Sequence, residues 1–258
     1  MLQRLLFLSI SLATADCATL ASVASQSSEA GTVVTNAIQP HMAISSHGVF
    51  VACIHKGNIV VVASHDGGQS FGSPMIAIDV GGRARGGRHR GPRIGVDARG
   101  RLTVTAPVTF DGREYKKKYP TADLYFVQSS DRGKTWTKPK RINAVEKKAP
   151  ESLHWMAVDE SGEAHIAWLD MRNRKRGQDI FFATISDGAV SANKKVATTV
   201  CECCAPGMAV DASGRCLLAY REGGDGASRE IFARYRGGSD VGFLKPIRVN
   251  KVNTLEDG

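Results

Sequence analysis

The chain has 258 residues, 42% of them hydrophobic, so it can bury a sizeable core as one large domain or two smaller ones. A formal net charge of +9 points to an anionic partner such as an acidic sugar, a nucleic acid or an anionic surface. The longest apolar run, at the N-terminus, is too short to span a bilayer, so the sequence excludes a transmembrane protein.

The first residues predict a secretory signal. Arg4 precedes an apolar run that ends in Ala13-Thr14-Ala15, which is typical of a cleavage site. We therefore predict a signal peptide over 1–15, a lead-in over 16–35 and a secreted or periplasmic protein. Lipid attachment at Cys17 is not favoured because Asp16 stands where a small residue is expected. In an exported chain, oxidised cysteines are expected.

Four copies of one phrase follow along the chain, each an apolar run, a turn rich in Asp, Ser and Gly, and a second apolar run. They are "PHMAISSHGVFVAC", "PRIGVDARGRLTVT", "HWMAVDESGEAHIAW" and "PGMAVDASGRCLLAY". Such a phrase predicts a β-hairpin, and further apolar runs supply a third and a fourth strand. Four strands in a repeat of roughly fifty residues are typical of propeller blades. We therefore predict an all-β propeller over 36–258, with antiparallel blades near 36–82, 90–144, 152–198 and 204–250.

A second repeated motif lies between the third and fourth strands of the first two blades, as "SHDGGQSFGSP" at 64–74 and "SSDRGKTWTKP" at 129–139. We predict that the aspartate accepts backbone N–H groups, the glycine adopts a positive φ and the aromatic residue packs between blades. The residues are Asp66, Gly68 and Phe71 in the first copy and Asp131, Gly133 and Trp136 in the second. A turn written twice indicates a role in folding rather than in catalysis.

These two stretches resemble the Asp-box, or bacterial neuraminidase (BNR), repeat Ser-x-Asp-x-Gly-x-Thr-Trp, and the chain resembles the sialidase-like β-propeller superfamily. The second copy fits every position, whereas the first has Phe71 in place of Trp. The motif is eroded at 186–191 and 237–243. Propellers of that superfamily typically have six blades, so the resemblance implies that about four of six are present and that C-terminal blades are missing. Self-association through the open blade edges is then expected.

Because successive strands are antiparallel, the connections after the second and fourth strands lie on one face of the disc. The long, charged or cysteine-bearing connections all belong to this group, so this face is the predicted site. They are 81–93, 110–123, 145–155, 169–179, 198–207 and 220–230. The Arg-Gly stretch in the first of them lacks interleaved aromatic residues, so we expect a carbohydrate or other anionic ligand there and no nucleic acid.

The resemblance implies a site in which three arginines hold a carboxylate, an aspartate is the general acid and a tyrosine activated by a glutamate is the nucleophile. The candidates are Asp170, Tyr220 and Glu222 for catalysis, and Arg93, Arg172 and Arg221 for binding the ligand. The first blade lacks the Arg-Ile-Pro signature of the superfamily, and its nearest match is Pro-Arg-Ile at Arg93 in the second blade. Two functions stay open: a glycoside hydrolase of the exo-α-sialidase type, and a non-catalytic binding or scaffold propeller, which the missing arginine favours.

Three closely spaced cysteines, Cys201, Cys203 and Cys204, are the most unusual local feature. In an exported chain, disulfides are the favoured interpretation, with Cys216 as one candidate partner. The alternative is a copper or zinc ion bound by thiolates. Apart from such an ion, the sequence indicates no cofactor.

Overall fold

The computed structural model of the protein describes residues 34–84, 86–87, 90–110, 122–145, 151–172, 177–223, 230–238 and 242–250, without the side chains of 151 and 152. The predicted signal peptide at 1–15 and nearly all of the lead-in at 16–35 lie outside these residues, so both stay predictions. In the described part of the chain, no helix is long and apolar enough to cross a membrane.

The described residues form seventeen strands in four antiparallel sheets, here called blades 1 to 4. Blade 1 consists of β1 (Ile38–Ser45), β2 (Gly48–His55), β3 (Asn58–Ser64) and β4 (Met75–Ile78). Blade 2 consists of β5 (Arg93–Val96), β6 (Leu102–Val108), β7 (Asp123–Ser129) and β8 (Lys140–Arg141). Blade 3 consists of β9 (Glu151–Val158), β10 (Ala164–Asp170), β11 (Gln178–Ser186), β12 (Ala189–Val190) and β13 (Lys194–Val200). Blade 4 consists of β14 (Gly207–Val210), β15 (Cys216–Arg221), β16 (Ile231–Arg236) and β17 (Ile247–Arg248).

The prediction of an all-β fold built from four antiparallel blades is confirmed. In three blades the strands pair in the order of the chain, so no connection crosses the sheet. Blade 3 differs because the eroded Asp-box segment forms an extra short hairpin. Asp187 and Gly188 both have a positive φ there, which turns β12 back onto β11, and β13 then pairs with β11 as the fourth strand.

The turn between the first two strands of blades 2 and 4 follows one design. Asp97 Oδ1 accepts the N–H groups of Arg99 and Arg101 at 2.9 and 2.8 Å. Asp211 Oδ1 accepts those of Ser213 and Arg215, both at 3.0 Å. Such carboxylates satisfy backbone donors that the hairpin leaves unpaired, so the aspartate in the repeated phrase specifies the turn.

Both Asp-box aspartates lie in the turn predicted for them. Asp131 accepts the Thr135 N–H at 2.9 Å and the Ser129 hydroxyl at 2.7 Å. Asp66 accepts the Ser70 N–H at 2.9 Å and the Ser64 hydroxyl at 2.7 Å in the same way. The two turns are therefore equivalent in their hydrogen bonding, although neither carboxylate is buried.

In the second Asp box, these contacts lower the pKa of the aspartate. Hydrogen bonds from the hydroxyl and N–H of Thr135, followed by that of the Ser129 hydroxyl, lower the pKa of Asp131 to about 2. The indole of Trp136 donates to Gly133 O at 3.1 Å and its ring packs against the core between blades 1 and 2. Gly133 has a φ of 89°, which a side chain would strain.

Hydrophobic cores fill the space between adjacent blades. Phe50 of blade 1 and Leu102 of blade 2 belong to one core, and Phe126 and Trp168 belong to the core between blades 2 and 3. A third core, which includes Leu218, joins blades 3 and 4. Burial of both faces explains why the middle strands have near-continuous apolar runs rather than strict alternation.

Apolar side chains are exposed on the flanks of blades 1 and 4. Met42 and Ile44 in β1 are 55% and 65% exposed, and they flank Ala43, which packs into the core between blades 1 and 2. Leu217 in β15 is 50% exposed and Ile247 in β17 is 69% exposed. The predicted self-association would use these flanks, and it stays a prediction.

Candidate functional site

The first strands of the four blades carry one column of equivalent positions, four residues before the turn residue of each repeated phrase. The column consists of His41, Arg93, Trp155 and Gly207. Each pairs with a residue of the second strand in its blade, namely Ala52, Thr105, Ala167 and Ala219. The surrounding phrase is similar in all four repeats, yet this position holds four unlike residues.

Three members of the column meet because β1, β5 and β9 pack side by side. The rings of His41 and Trp155 lie 5.8 Å apart and nearly perpendicular. The Arg93 guanidinium carbon lies 5.1 Å from the centre of the Trp155 ring, which is a cation–π contact. His41 Nδ1 accepts the Ile94 N–H at 3.2 Å, which orients its ring toward blade 2.

His154, next to Trp155 in β9, completes this group, which we call the axial cluster: His41, Arg93, His154 and Trp155. Its Nε2 lies 2.9 Å from the Thr105 hydroxyl of blade 2, and the side chain is buried. The cluster thus draws side chains from blades 1, 2 and 3.

The electrostatics of the axial cluster are set by burial and by Arg93. Burial, assisted by the charge of Arg93, lowers the pKa of His41 to about 4. Burial, Arg93 and His41 together lower the pKa of His154 well below its ordinary value. Both imidazoles are therefore neutral at pH 7, and Arg93 supplies the positive charge of the cluster.

The fourth member of the column, Gly207, has open space where a side chain would lie. A Cβ atom built on Gly207 would meet no other heavy atom of the described residues within 4 Å. Its φ lies outside the left-handed region, so the backbone does not require glycine there. In a column whose other three members have large side chains, this position is open.

Two of the predicted site residues, Asp170 and Arg172, bind each other. Asp170 is fully buried at the end of β10, and its Oδ1 accepts Arg172 Nε at 2.8 Å. Asp170 Oδ2 accepts Arg172 Nη2 at 2.5 Å and the Trp168 indole N–H at 3.1 Å. The Arg172 guanidinium also stacks 3.7 Å above the Phe181 ring. These contacts hold the start of the loop that follows β10; the proposed roles in catalysis and binding stay predictions.

Of the other predicted residues, Tyr220 and Arg221 end β15 on opposite faces of the strand, because side chains alternate along it, and Glu222 follows directly after the strand. Tyr220 is buried and stacks on Phe232, with ring centres 6.1 Å apart. Arg221 Nη1 donates to Cys204 Sγ at 3.5 Å. The Glu222 N–H donates to Glu230 O at 2.9 Å, and its backbone forms a bridge with Val200. Their catalytic and binding roles likewise stay predictions.

The three cysteines lie together in the connection between β13 and β14. Cys201 Sγ is 3.1 Å from Cys204 Sγ and 3.5 Å from Cys203 Sγ, and the last two are 4.0 Å apart. Cys216 lies in β15 with its side chain in the core between blades 3 and 4. All five cysteines in the described part of the chain are free thiols. Burial opposes ionisation of Cys201, but hydrogen bonds from Cys204 and Cys203 outweigh it and lower the pKa of its thiol.

Much of the predicted loop face lies outside the described residues, including 111–121, 146–150, 173–176 and 224–229. The structure instead points to the axial cluster, of which only Arg93 is among the site residues predicted from the sequence. Comparing the repeats position by position would have singled out His41 and Trp155, since this column mixes His, Arg, Trp and Gly, whereas His154 lies one residue before it.

No protein-family model matches the sequence, and no curated protein matches it either. Solved structures do match in fold. An α-L-arabinanase from Penicillium chrysogenum, complexed with arabinobiose, superimposes with a TM-score of 0.55 at 12% identity, covering 83% of this chain and 66% of that one. A Dyadobacter fermentans protein of unknown function gives 0.54 at 16% identity, covering 82% and 68%.

The GH93 α-L-arabinofuranosidase of Fusarium graminearum, in complex with arabinobiose, gives a TM-score of 0.51 at 12% identity, covering 83% and 66%. The chain thus spans about two thirds of the length of each of these proteins. None of the three is a sialidase by name. At these identities the likeness concerns the fold alone, and it identifies the fold as a β-propeller.

Proposed function

We propose that the protein binds a carbohydrate that carries an acidic group, and that the axial cluster is the binding site. The observation that carries this proposal is the column of equivalent positions. Where four repeats would permit four similar packing residues, the chain has a histidine, an arginine, a tryptophan and an open glycine position. Such departures from a repeated pattern mark residues kept for a ligand rather than for the scaffold.

The chemistry of the cluster suits a sugar. Trp155 is half-buried and offers an aromatic surface against which the C–H face of a pyranose or furanose ring packs. The neutral His41 ring can offer its Nε2 to a sugar hydroxyl, because its Nδ1 accepts the Ile94 N–H, while the buried His154 supports the cluster through its contact with Thr105. Arg93 provides the planar guanidinium that suits a carboxylate, and the net charge of +9 attracts an anionic ligand.

The structural neighbours support a sugar as the ligand class. The Penicillium and Fusarium proteins share the propeller fold and were both solved with arabinobiose bound. Glycosidase propellers therefore provide a precedent for carbohydrate recognition on this scaffold. The acidic group is inferred from Arg93 and from the charge of this chain, and not from those proteins.

The test compares acidic and neutral oligosaccharides of equal length by calorimetry. Arg93→Lys should weaken binding of the acidic sugar roughly tenfold and leave binding of the neutral sugar unchanged. Lysine keeps the positive charge but lacks the planar guanidinium that can donate two hydrogen bonds to one carboxylate. Gly207→Leu should weaken binding of both sugars by filling the open position. Arg99→Lys, an exposed arginine in the turn after β5, is the matched control and should bind like the native protein. Equal losses for Arg93→Lys and Arg99→Lys, or unchanged binding in Gly207→Leu, would refute the site.

Hydrolysis is the second candidate function, in the form of a glycosidase of the exo-α-sialidase type. The glycosidase propellers that share this fold favour hydrolysis, whereas the missing Arg-Ile-Pro arginine in the first blade counts against the sialidase type. Asp170 has its carboxylate occupied by Arg172 and Trp168, so Glu222 is the better candidate for an acid or base. A screen with fluorogenic sialosides and α-L-arabinofuranosides tests this: turnover that Glu222→Gln abolishes supports it. Binding without turnover leaves the protein a lectin-like propeller.

A further inference from the structure

The connection between blades 3 and 4 brings three thiols into contact. Cys201, Cys203 and Cys204, which we call the thiol cluster, have sulfur–sulfur separations of 3.1 to 4.0 Å. They form a group of soft donors close enough to share one ion. The thiol cluster has no part in the carbohydrate site proposed above, and its chemistry is independent of that site.

The separations fit one shared ion. Three sulfurs bound at about 2.3 Å to a central metal lie roughly 3.8–4.0 Å from one another in tetrahedral or trigonal geometry. The observed values reach this range for Cys203 and Cys204 and fall short of it by less than about 1 Å for Cys201 and Cys204. Side-chain rotation opens that gap, since Cys203 is exposed and the other two are half-buried.

The backbone holds the three residues in place before any ion binds. The Cys201 N–H donates to Arg221 O at 2.9 Å, and the Cys204 N–H donates to Cys201 O at 3.4 Å. The Gly223 N–H donates to Thr199 O at 2.9 Å. A Cβ on Gly223 would come within 2.6 Å of Val200 O, so only glycine permits this close approach. The loop is therefore tied to the end of β15 next to the cluster.

Charge and donor type narrow the class of ion. Arg221 Nη1 lies 3.5 Å from Cys204 Sγ and offsets part of the negative charge that three thiolates bring together. In the described residues, no histidine or carboxylate joins the three sulfurs within the same 4.8 Å group. Three thiolates suit a soft ion that accepts three ligands, whereas zinc bound by the same three residues would need a water as its fourth ligand.

A second group of possible metal ligands differs from the thiol cluster in its contacts. Asp159, Glu163 and His165 also cluster, but their donors already bind one another, with His165 Nε2 at 3.2 Å from Asp159 Oδ2. His165 Nδ1 lies 3.5 Å from Arg236, which brings a positive charge next to the group. The buried members of that group are therefore held in a hydrogen-bonded network with Arg236 beside it, whereas the thiols are more exposed and contact one another and Arg221.

We propose that Cys201, Cys203 and Cys204 form a three-thiolate site for copper(I). A single disulfide within the cluster would leave one thiol over, whereas one copper(I) ion uses all three sulfurs. Binding replaces the thiol protons by the metal, so each ion bound releases protons to the solvent and affinity falls as the pH is lowered.

The test titrates copper(I) into the full-length, fully reduced protein under anaerobic conditions, in competition with a chromophoric copper(I) chelator. Native protein should bind one ion per chain. Cys201→Ser, Cys203→Ser and Cys204→Ser should each bind roughly a hundredfold more weakly or not at all, because two thiolates remain. Cys53→Ala removes a buried thiol from β2, outside the cluster, and should bind like the native protein. Thermal melts of every variant without metal identify any that fail to fold.

Three outcomes would overturn the proposal. Fully reduced native protein that takes up no copper(I) would exclude the site and leave a disulfide as the use of these thiols. Copper(I) binding that survives in all three serine variants would place the ion elsewhere. A single zinc ion that outcompetes copper(I) at equal free concentrations would assign the thiol cluster to zinc instead.

Discussion

The turns and the first strands of the blades differ in how closely equivalent residues match from one repeat to the next. At the hairpin turns and Asp boxes, aspartates recur with the same backbone partners, as Asp66 and Asp131 demonstrate. At one position of the first strands, in contrast, the four blades hold unlike residues: His41, Arg93, Trp155 and Gly207. Repetition thus marks residues that each blade uses for folding, and departure from it marks the strand position at which we propose that a ligand binds.

Asp170 gives the strongest test of this comparison. It lies outside the repeated turns, yet its carboxylate is buried and accepts hydrogen bonds from Arg172 and Trp168, so we expect it to stabilise the fold. Asp170→Ala should lower the free energy of unfolding by roughly 3 kcal/mol, since it leaves Arg172 without its partner. Glu160→Ala, an exposed carboxylate in the turn after β9, is the control and should melt like the native protein. Chemical denaturation measures both. If Asp170→Ala kept its stability and lost only ligand binding or turnover, Asp170 would be a functional residue rather than a structural one.

The axial cluster should make the fold sensitive to mild acid. Folding lowers the pKa of His41 from 6.5 to about 4, and also lowers that of His154, so the unfolded chain takes up protons that the folded protein does not. Stability is therefore full above pH 6.5 and falls as the pH drops toward 4. The loss from half-buried His41 should be on the order of 1 kcal/mol after solvent screening.

Denaturant melts at pH 7, 5.5 and 4.5 measure this loss. His41→Asn keeps an acceptor for the Ile94 N–H but removes the titrating group, so its stability should change less over this interval. His65→Asn, an exposed histidine after β3, should follow the native profile. A native profile that is flat from pH 7 to 4.5 would show that the axial histidines carry their charge in the folded protein.

The second Asp box should contribute less to the stability of the fold than Asp170 or the axial cluster. Asp131→Ala removes the acceptor for Thr135 and Ser129 and should lower the melting temperature by roughly 2–4 °C without changing ligand affinity. Glu160→Ala again serves as the control, because it removes an exposed carboxylate from a turn of another blade. Abolished binding with an unchanged melting temperature would contradict the structural role.

The smallest effect concerns the pH dependence of that same turn. The folded pKa of Asp131, about 2, lies below its ordinary value of 3.8, so its contribution is present above pH 3.8 and is lost as the pH falls toward 2. The difference in melting temperature between native protein and Asp131→Asn should therefore shrink between pH 5 and pH 2.5. A constant difference over that range would mean that the charge of Asp131 does not matter to the turn.

The fold could be predicted because its signals are local. Short apolar runs and turns such as "DARG" specify hairpins within a dozen residues, and the repeat then specifies the blades. Blade 3 departed from the pattern only where the Asp box had eroded. The structure there has a tight hairpin at Asp187, which that box would not form.

The site was harder to predict because its contacts are distant in sequence. His41 lies in blade 1 and Trp155 in blade 3, and nothing near either residue in the sequence signals that their rings meet. Conversely, Asp170 and Arg172 look like ligand-binding residues in the sequence, whereas their proximity in the chain lets them pair with each other. Sequence spacing cannot distinguish a self-contained ion pair from one that is open to a substrate.

The order of strands within each sheet has a consequence for how the protein is made. In three blades every strand pairs with the next strand in the chain, and in all four the paired strands come from about fifty consecutive residues. The pairing within a blade therefore has short sequence separation, which shortens the search for the native state and lowers the entropy of loop closure. A blade emerging from the ribosome can close its hydrogen bonds before the next is synthesised, and each new blade then finds an apolar surface already formed on which to fold.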